Sequence, residues 1–112
     1  MITSRKIIIP IYDYRLDIII YDDWGEVSHI FDNGPEPLAI TRNLYGKSIV
    51  AINAKSQSSI VHESIHVMND IWDYIGYTSD PNNDEVDAYL ITYIYKKIND
   101  VYIKHTELKE LH

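Results

Sequence analysis

Apolar and polar positions are arranged in two different ways along this chain. Up to about Asn53 the apolar residues come in short runs rich in Ile and Tyr; from about Ser56 they recur at helical spacing. Arg5 to Ile9 and Arg15 to Tyr21 carry residues that suit a pleated surface and predict two strands, interrupted by Pro10 and Asp13. Leu38 to Arg42 and Lys47 to Ile52 predict two more, joined as a hairpin through Asn43-Leu44-Tyr45-Gly46. Between the pairs, Trp24 to Phe31 predicts a short helix capped by Asp22-Asp23, and Asp32-Asn33-Gly34-Pro35 a loop.

The second half predicts two long helices. In Ser56 to Ile75 the residues Val61, Ile65, Met68, Trp72 and Ile75 form one stripe, with Ser56 or Ser58 as cap and Gly76 as stop. In Asp84 to about Lys104 the stripe is Val86, Leu90, Ile94, Ile98 and Val101, with Asn83 or Asp84 as cap. A short loop containing Pro81 joins them, so they should pack antiparallel. The expected fold is α+β: a small antiparallel or mixed N-terminal sheet with a short helix, packed on two long C-terminal helices. A length of 112 residues fits one domain spanning the chain.

Charge and composition narrow the chemistry. The net charge is −7 with no Lys/Arg cluster, which argues against nucleic acid and anionic membranes as partners. There is no bilayer-length apolar run, and the N-terminal run broken by Pro10 is not a signal peptide. A cytoplasmic protein is expected, and the lack of cysteine is compatible with that. It also excludes disulfides and cysteine chemistry, so any metal must be held by His, Asp or Glu.

One such constellation stands out in His62-Glu63-Ser64-Ile65-His66. Residues four apart leave a helix on one face, so both imidazoles can take corners of a zinc tetrahedron. Glu63 is turned about 100° from His62 and can reach a water on the metal. Zinc brings the pKa of such a water toward neutrality, and the carboxylate can take its proton as the water attacks a carbonyl. Catalytic sites of this kind usually have a third protein ligand. Glu85, in the first turn of the second helix, is the best candidate, with Asp84 and Asp87 as rivals and His105 further down. Tyr89 and Tyr93 follow Glu85 at steps of four; a hydroxyl there could steady a developing oxyanion, although aromatics at the edge of a core are commoner. His29 and His112 read as surface residues. If the strand before the motif helix were an edge strand, it could pair with an extended peptide.

The same residues carry a resemblance. The motif His62-Glu63-Ser64-Ile65-His66, with Asp73-Tyr74-Ile75-Gly76 and Asn83-Asp84-Glu85 through Ala88-Tyr89 behind it, resembles the short phage-borne predicted metallopeptidases of gluzincin type. The likeness runs from about Ile60 to Ile94. It implies a minimal zincin fold, Zn2+ held by His62, His66 and Glu85, and Glu63 as general base. Larger gluzincins place an aspartate four residues after the ligand glutamate; here that position is Tyr89. The implied function is zinc-dependent hydrolysis of peptide bonds in a protein or peptide substrate, such as a host or phage factor. The alternative is a non-cleaving zinc-binding protein of the same fold that binds or inhibits a cytoplasmic partner.

Overall fold

A computed structural model describes residues 1–111; His112, read above as a surface residue, lies outside the described residues. The fold is α+β. Four strands, β1 (Ile2–Ile9), β2 (Tyr14–Tyr21), β3 (Ala39–Asn43) and β4 (Lys47–Asn53), precede two helices, α1 (Ser59–Ile75) and α2 (Glu85–Glu110). They form one mixed sheet in the order β1-β2-β4-β3. β1 and β2 are antiparallel, β3 and β4 are antiparallel, and β2 runs parallel to β4 with Ile18 opposite Val50.

Both faces of the sheet are covered. Leu16, Ile18 and Ile20 of β2 and Val50 and Ile52 of β4 meet Ile60, Val67 and Ile71 of α1 and Leu90, Ile94 and Ile98 of α2. On the reverse, Ile19, Tyr21 and Ala51 lie under Val27 and Phe31. Cover on both sides explains why Ile18 to Tyr21 is apolar without alternation. The covering segment is not the single helix expected over Trp24 to Phe31. It is two 3-10 turns, Trp24–Glu26 and Ser28–Phe31, the first capped by the Asp23 carboxylate on the Gly25 N–H at 3.0 Å.

The expected β3–β4 hairpin forms. Asn43 Oδ1 accepts the Tyr45 N–H at 2.8 Å, and Tyr45 and Gly46 both take positive φ. At Gly46 (φ +106) a Cβ would meet the Tyr74 ring at 3.2 Å, so glycine fits the turn where it passes α1.

Each helix departs from expectation in an informative way. α1 starts at Ser59, and neither Ser56 nor Ser58 caps it: Ser58 makes no capping bond, and the Ser56 hydroxyl pairs with that of Ser59 at 2.6 Å. Its buried face is Ile60, Glu63, Ser64, Val67, Met68, Ile71 and Trp72, whereas Val61, Ile65 and Ile75 of the expected stripe are exposed. α1 is apolar on more than one side, and the sheet chose the face beside the expected one. Gly76 ends the helix in the left-handed conformation, as expected. α2 runs on to Glu110 because its buried stripe continues through His105, which is 1 % exposed. That imidazole meets Thr3 Oγ1 at 2.7 Å and Asp22 Oδ1 at 3.1 Å, tying α2 to β1 and the end of β2. No helix among the described residues is long and apolar enough to cross a membrane.

Candidate metal centre

α1 packs against β3 and β4, while α2 packs over β1 and β2. The side of α1 away from α2 therefore faces the outer strand β3, and the motif lies there. Turning Ile60, Val67 and Ile71 into the core carries Glu63 partly under β3 and leaves His62 and His66 at the rim. A cavity of about 270 Å³ is lined by β3 on one side and by these side chains on the other.

The two imidazoles are oriented toward a common point. Their Nε2 atoms are 3.0 Å apart, with the rings crossed at 75°. Without a metal, one nitrogen must donate a proton to the other. A tetrahedral zinc about 2.0–2.1 Å from each would set them ~3.3 Å apart, so little movement is needed to exchange the shared proton for a cation. Glu63 completes the group. Its side chain is 6 % exposed, with Oε1 accepting the Thr41 hydroxyl at 2.8 Å and Oε2 lying 3.9 Å from His62 Nε2. A carboxylate so far out of water requires hydrogen bonds and a nearby cation. Thr41 supplies the first and the imidazole side of the cavity is open to the second. Among the described residues, His62, Glu63 and His66 form the one group of three donors close enough to hold a metal ion. Imidazole and carboxylate donors suit zinc and other divalent ions, so the residues present fit such a group.

Sequence reasoning missed a second acid at this site. Asp70 lines the same cavity, four residues beyond His66. Ser48 Oγ donates to its Oδ2 at 2.8 Å, and Ser48 in turn pairs with Tyr14 OH at 2.7 Å. Since Ser48 has one proton and gives it to Asp70, Tyr14 must be the donor to Ser48. Both hydroxyl residues are fully buried. A chain of two buried hydroxyls thus ends on a carboxylate at the cavity. Burial raises the Asp70 pKa, and the charge of Asp73 adds to this; the Ser48 bond and the nearby His66 act the other way. Burial likewise raises the pKa of Tyr14. The repeat 62, 66, 70 was the available signal in the sequence.

Glu85 is not part of this centre. It is exposed at the start of α2 and absent from the donor group. The helices are antiparallel as expected, with Gln57 bonded to Asn99 and the Trp72 indole bonded to Asp87 at 3.1 Å. The start of α2 therefore lies at the far end of α1, about 9 Å along the axis beyond His66. The order of the sheet also puts it on the opposite flank of α1 from β3. Asp84 and Asp87 share that displacement, and Tyr89, 73 % exposed, lies with them away from the histidine pair. His105 is committed to Thr3 and Asp22 at the other end of α2, and His29 is exposed in the second 3-10 turn. The strand before α1 is not an edge strand either: β4 is paired on both sides, and β3 holds the free edge beside the cavity.

Comparison with known proteins gives no match, whether to protein families, to curated proteins or to solved structures.

Proposed function

We propose that this chain is a zinc-dependent peptidase whose metal is held by His62 and His66 and whose general base is Glu63. The observation that carries the reading is the Nε2 pair at 3.0 Å beside a buried carboxylate, in a cavity open along the free edge of a strand. Zinc, when bound, supplies a Lewis acid that acidifies a coordinated water and polarises a carbonyl. The chain's own groups do the rest. Thr41 fixes Glu63 Oε1 and leaves Oε2 to take a proton from the attacking water. The same oxygen then returns that proton to the departing amine as the C–N bond breaks, so protons balance over the cycle. The substrate is an extended protein segment, such as part of a host or phage factor, aligned on the β3 edge through backbone hydrogen bonds. The setting is cytoplasmic, where a cysteine-free chain loses nothing to a reducing milieu.

A second reading rests on the donor group itself. His62, Glu63 and His66 lie close enough together to hold a metal as three ligands. Glu63 would then coordinate rather than act as a base, and the protein would bind a partner without cleaving it. Glu63→Gln separates the two. On the peptidase reading, zinc remains near one equivalent and hydrolysis of an unfolded casein substrate is lost. On the second reading, wild type cleaves nothing and zinc itself is lost. Wild-type protein that takes up no zinc on addition of the metal would overturn both.

A further inference from the structure

Tyr89 belongs to a different feature. An open apolar groove of about 400 Å³ lies between the β1–β2 turn, Ile9 to Tyr12, and the first turns of α2. On α2 it is lined by Val86, Tyr89, Leu90 and Tyr93, a second apolar stripe that leads outward from the buried Leu90. Ile11 stands at the tip of the turn, 95 % exposed. Its φ is +74°, in the left-handed region where a β-branched side chain crowds the backbone. Nothing within the chain is gained in exchange, because Ile11 packs against almost nothing. A strained isoleucine held in solvent beside an open apolar groove is what an intermolecular contact leaves behind when its partner is absent.

Charge decides the kind of partner. Asp13 follows Tyr12, and Asp84 and Glu85 precede Val86; all three are exposed, and none joins an ion pair among the described residues. No Lys or Arg lines the groove; the Lys97 ammonium lies 5.4 Å over the Tyr93 ring. A second copy of this chain, itself at −7, would bring the same carboxylates face to face. We propose that the groove docks a basic amphipathic segment of another protein, its apolar side chains between Ile11 and Tyr89 and its Lys or Arg side chains on Asp13, Asp84 and Glu85. This mode is that of an amphipathic helix in a groove, with anchors at helical spacing, and it stands independently of the metal centre.

The test uses the full chain and a fluorescein-labelled helical peptide of Leu and Lys, with a Leu/Glu peptide of the same pattern as control, read by fluorescence anisotropy. The Leu/Lys peptide should bind saturably and the Leu/Glu peptide should not. Ile11→Asn and Tyr89→Ala should each weaken binding by at least ~10-fold, as loss of an anchor does, while His66→Ala leaves it unchanged. Ile11→Gly, which suits the turn, guards against misfolding and should weaken binding equally. Three results would overturn the proposal. One is no binding of the Leu/Lys peptide to wild type. Another is equal binding to wild type and all three groove variants, which would be attraction to an acidic surface alone. The third is a wild-type dimer by sedimentation that Ile11→Asn dissociates, which would make a second copy the occupant.

Discussion

The cavity at β3 is walled by two imidazoles, Glu63 and Asp70, whereas the groove at the β1–β2 turn is walled by isoleucine, valine and tyrosine. They occupy opposite flanks of one sheet, and they are built differently. In the cavity, polar atoms are positioned by other polar atoms: Thr41 on Glu63, Tyr14 on Ser48, Ser48 on Asp70. In the groove, apolar groups stand in water and one backbone torsion is strained. Satisfied buried networks rigidify a site, which suits metal chemistry that needs fixed ligands. An open apolar surface is unspecific until something covers it. One small sheet thus carries a preorganised site at one edge and a receptive one at the other.

The largest expected effect separates the two outright. His66→Ala should weaken zinc binding by more than the ~10–100-fold loss typical of an outer partner of the metal, and leave Leu/Lys peptide binding unchanged. Zinc titration followed by metal analysis, beside anisotropy, reads both. If the two bindings fall together, the flanks are coupled and do not act as separate sites.

A smaller effect tests how the cavity is held. Asp70→Asn keeps an oxygen for the Ser48 hydroxyl but removes the charge, and zinc affinity should fall ~10-fold. Stability should move the other way. Burial raises the Asp70 pKa, so folding favours the protonated form. What that protonation contributes is fully present below the unfolded pKa near 3.8 and is lost as pH rises through the folded value. At pH 7 the native carboxylate is therefore a cost, and Asp70→Asn should raise the unfolding midpoint there. The gain should vanish below about pH 3.8, where both carboxyls are neutral. A lowered midpoint at pH 7 would show that the charge stabilises the fold, contrary to the raised pKa.

These elements also show what the sequence could and could not reveal. The strands were legible from Ile-rich runs, the β3–β4 hairpin from Asn43 to Gly46, and the end of α1 from Gly76, because each is settled by residues close together. The buried face of α1 was not. Val61, Ile65, Met68, Trp72 and Ile75 fit helical spacing as well as Ile60, Val67, Met68 and Ile71 do, and the choice between them was made by the sheet. A place in the first turn of an antiparallel second helix favours Glu85 as a ligand, as does the resemblance, but the flank of α1 on which α2 lies depends on the strand order β1-β2-β4-β3. Nothing in the local sequence encodes that order. The histidine pair and Glu63 needed only the helix, so their placement on one rim was readable.

Acid should distinguish the flanks more gently. Asp22 joins Met1, His105 and Lys109 where β1 begins and β2 and α2 end, at the far end of α2 from the groove. Burial pushes its pKa up, but the Lys109 and His105 hydrogen bonds and charges outweigh this and hold it below the usual value. Its contribution to stability is thus present above pH 3.8 and lost as pH falls through the folded pKa. Amide exchange in β1 and the last turns of α2 should accelerate at that pH before exchange in β3 or α1. Simultaneous acceleration in all four would mean that Asp22 is no separate clasp.

The smallest effect concerns the groove's strained tip. In Ile11→Gly the left-handed φ of +74° no longer crowds a Cβ, which relieves about 1–2 kcal/mol. The added freedom of glycine in the unfolded chain offsets roughly 0.5–1 kcal/mol of that. Ile11 is 95 % exposed, so almost no buried area is lost. The variant should therefore be more stable than wild type by up to about 1.5 kcal/mol, a rise of a few degrees in Tm for a chain of this size. Zinc binding should not change, and Leu/Lys peptide binding should fall. A more stable protein that binds less well is the expected mark of strain kept for a partner rather than for the fold. If Ile11→Gly instead lowers Tm, the isoleucine supports the turn itself, and the groove loses its strongest claim to be an interface.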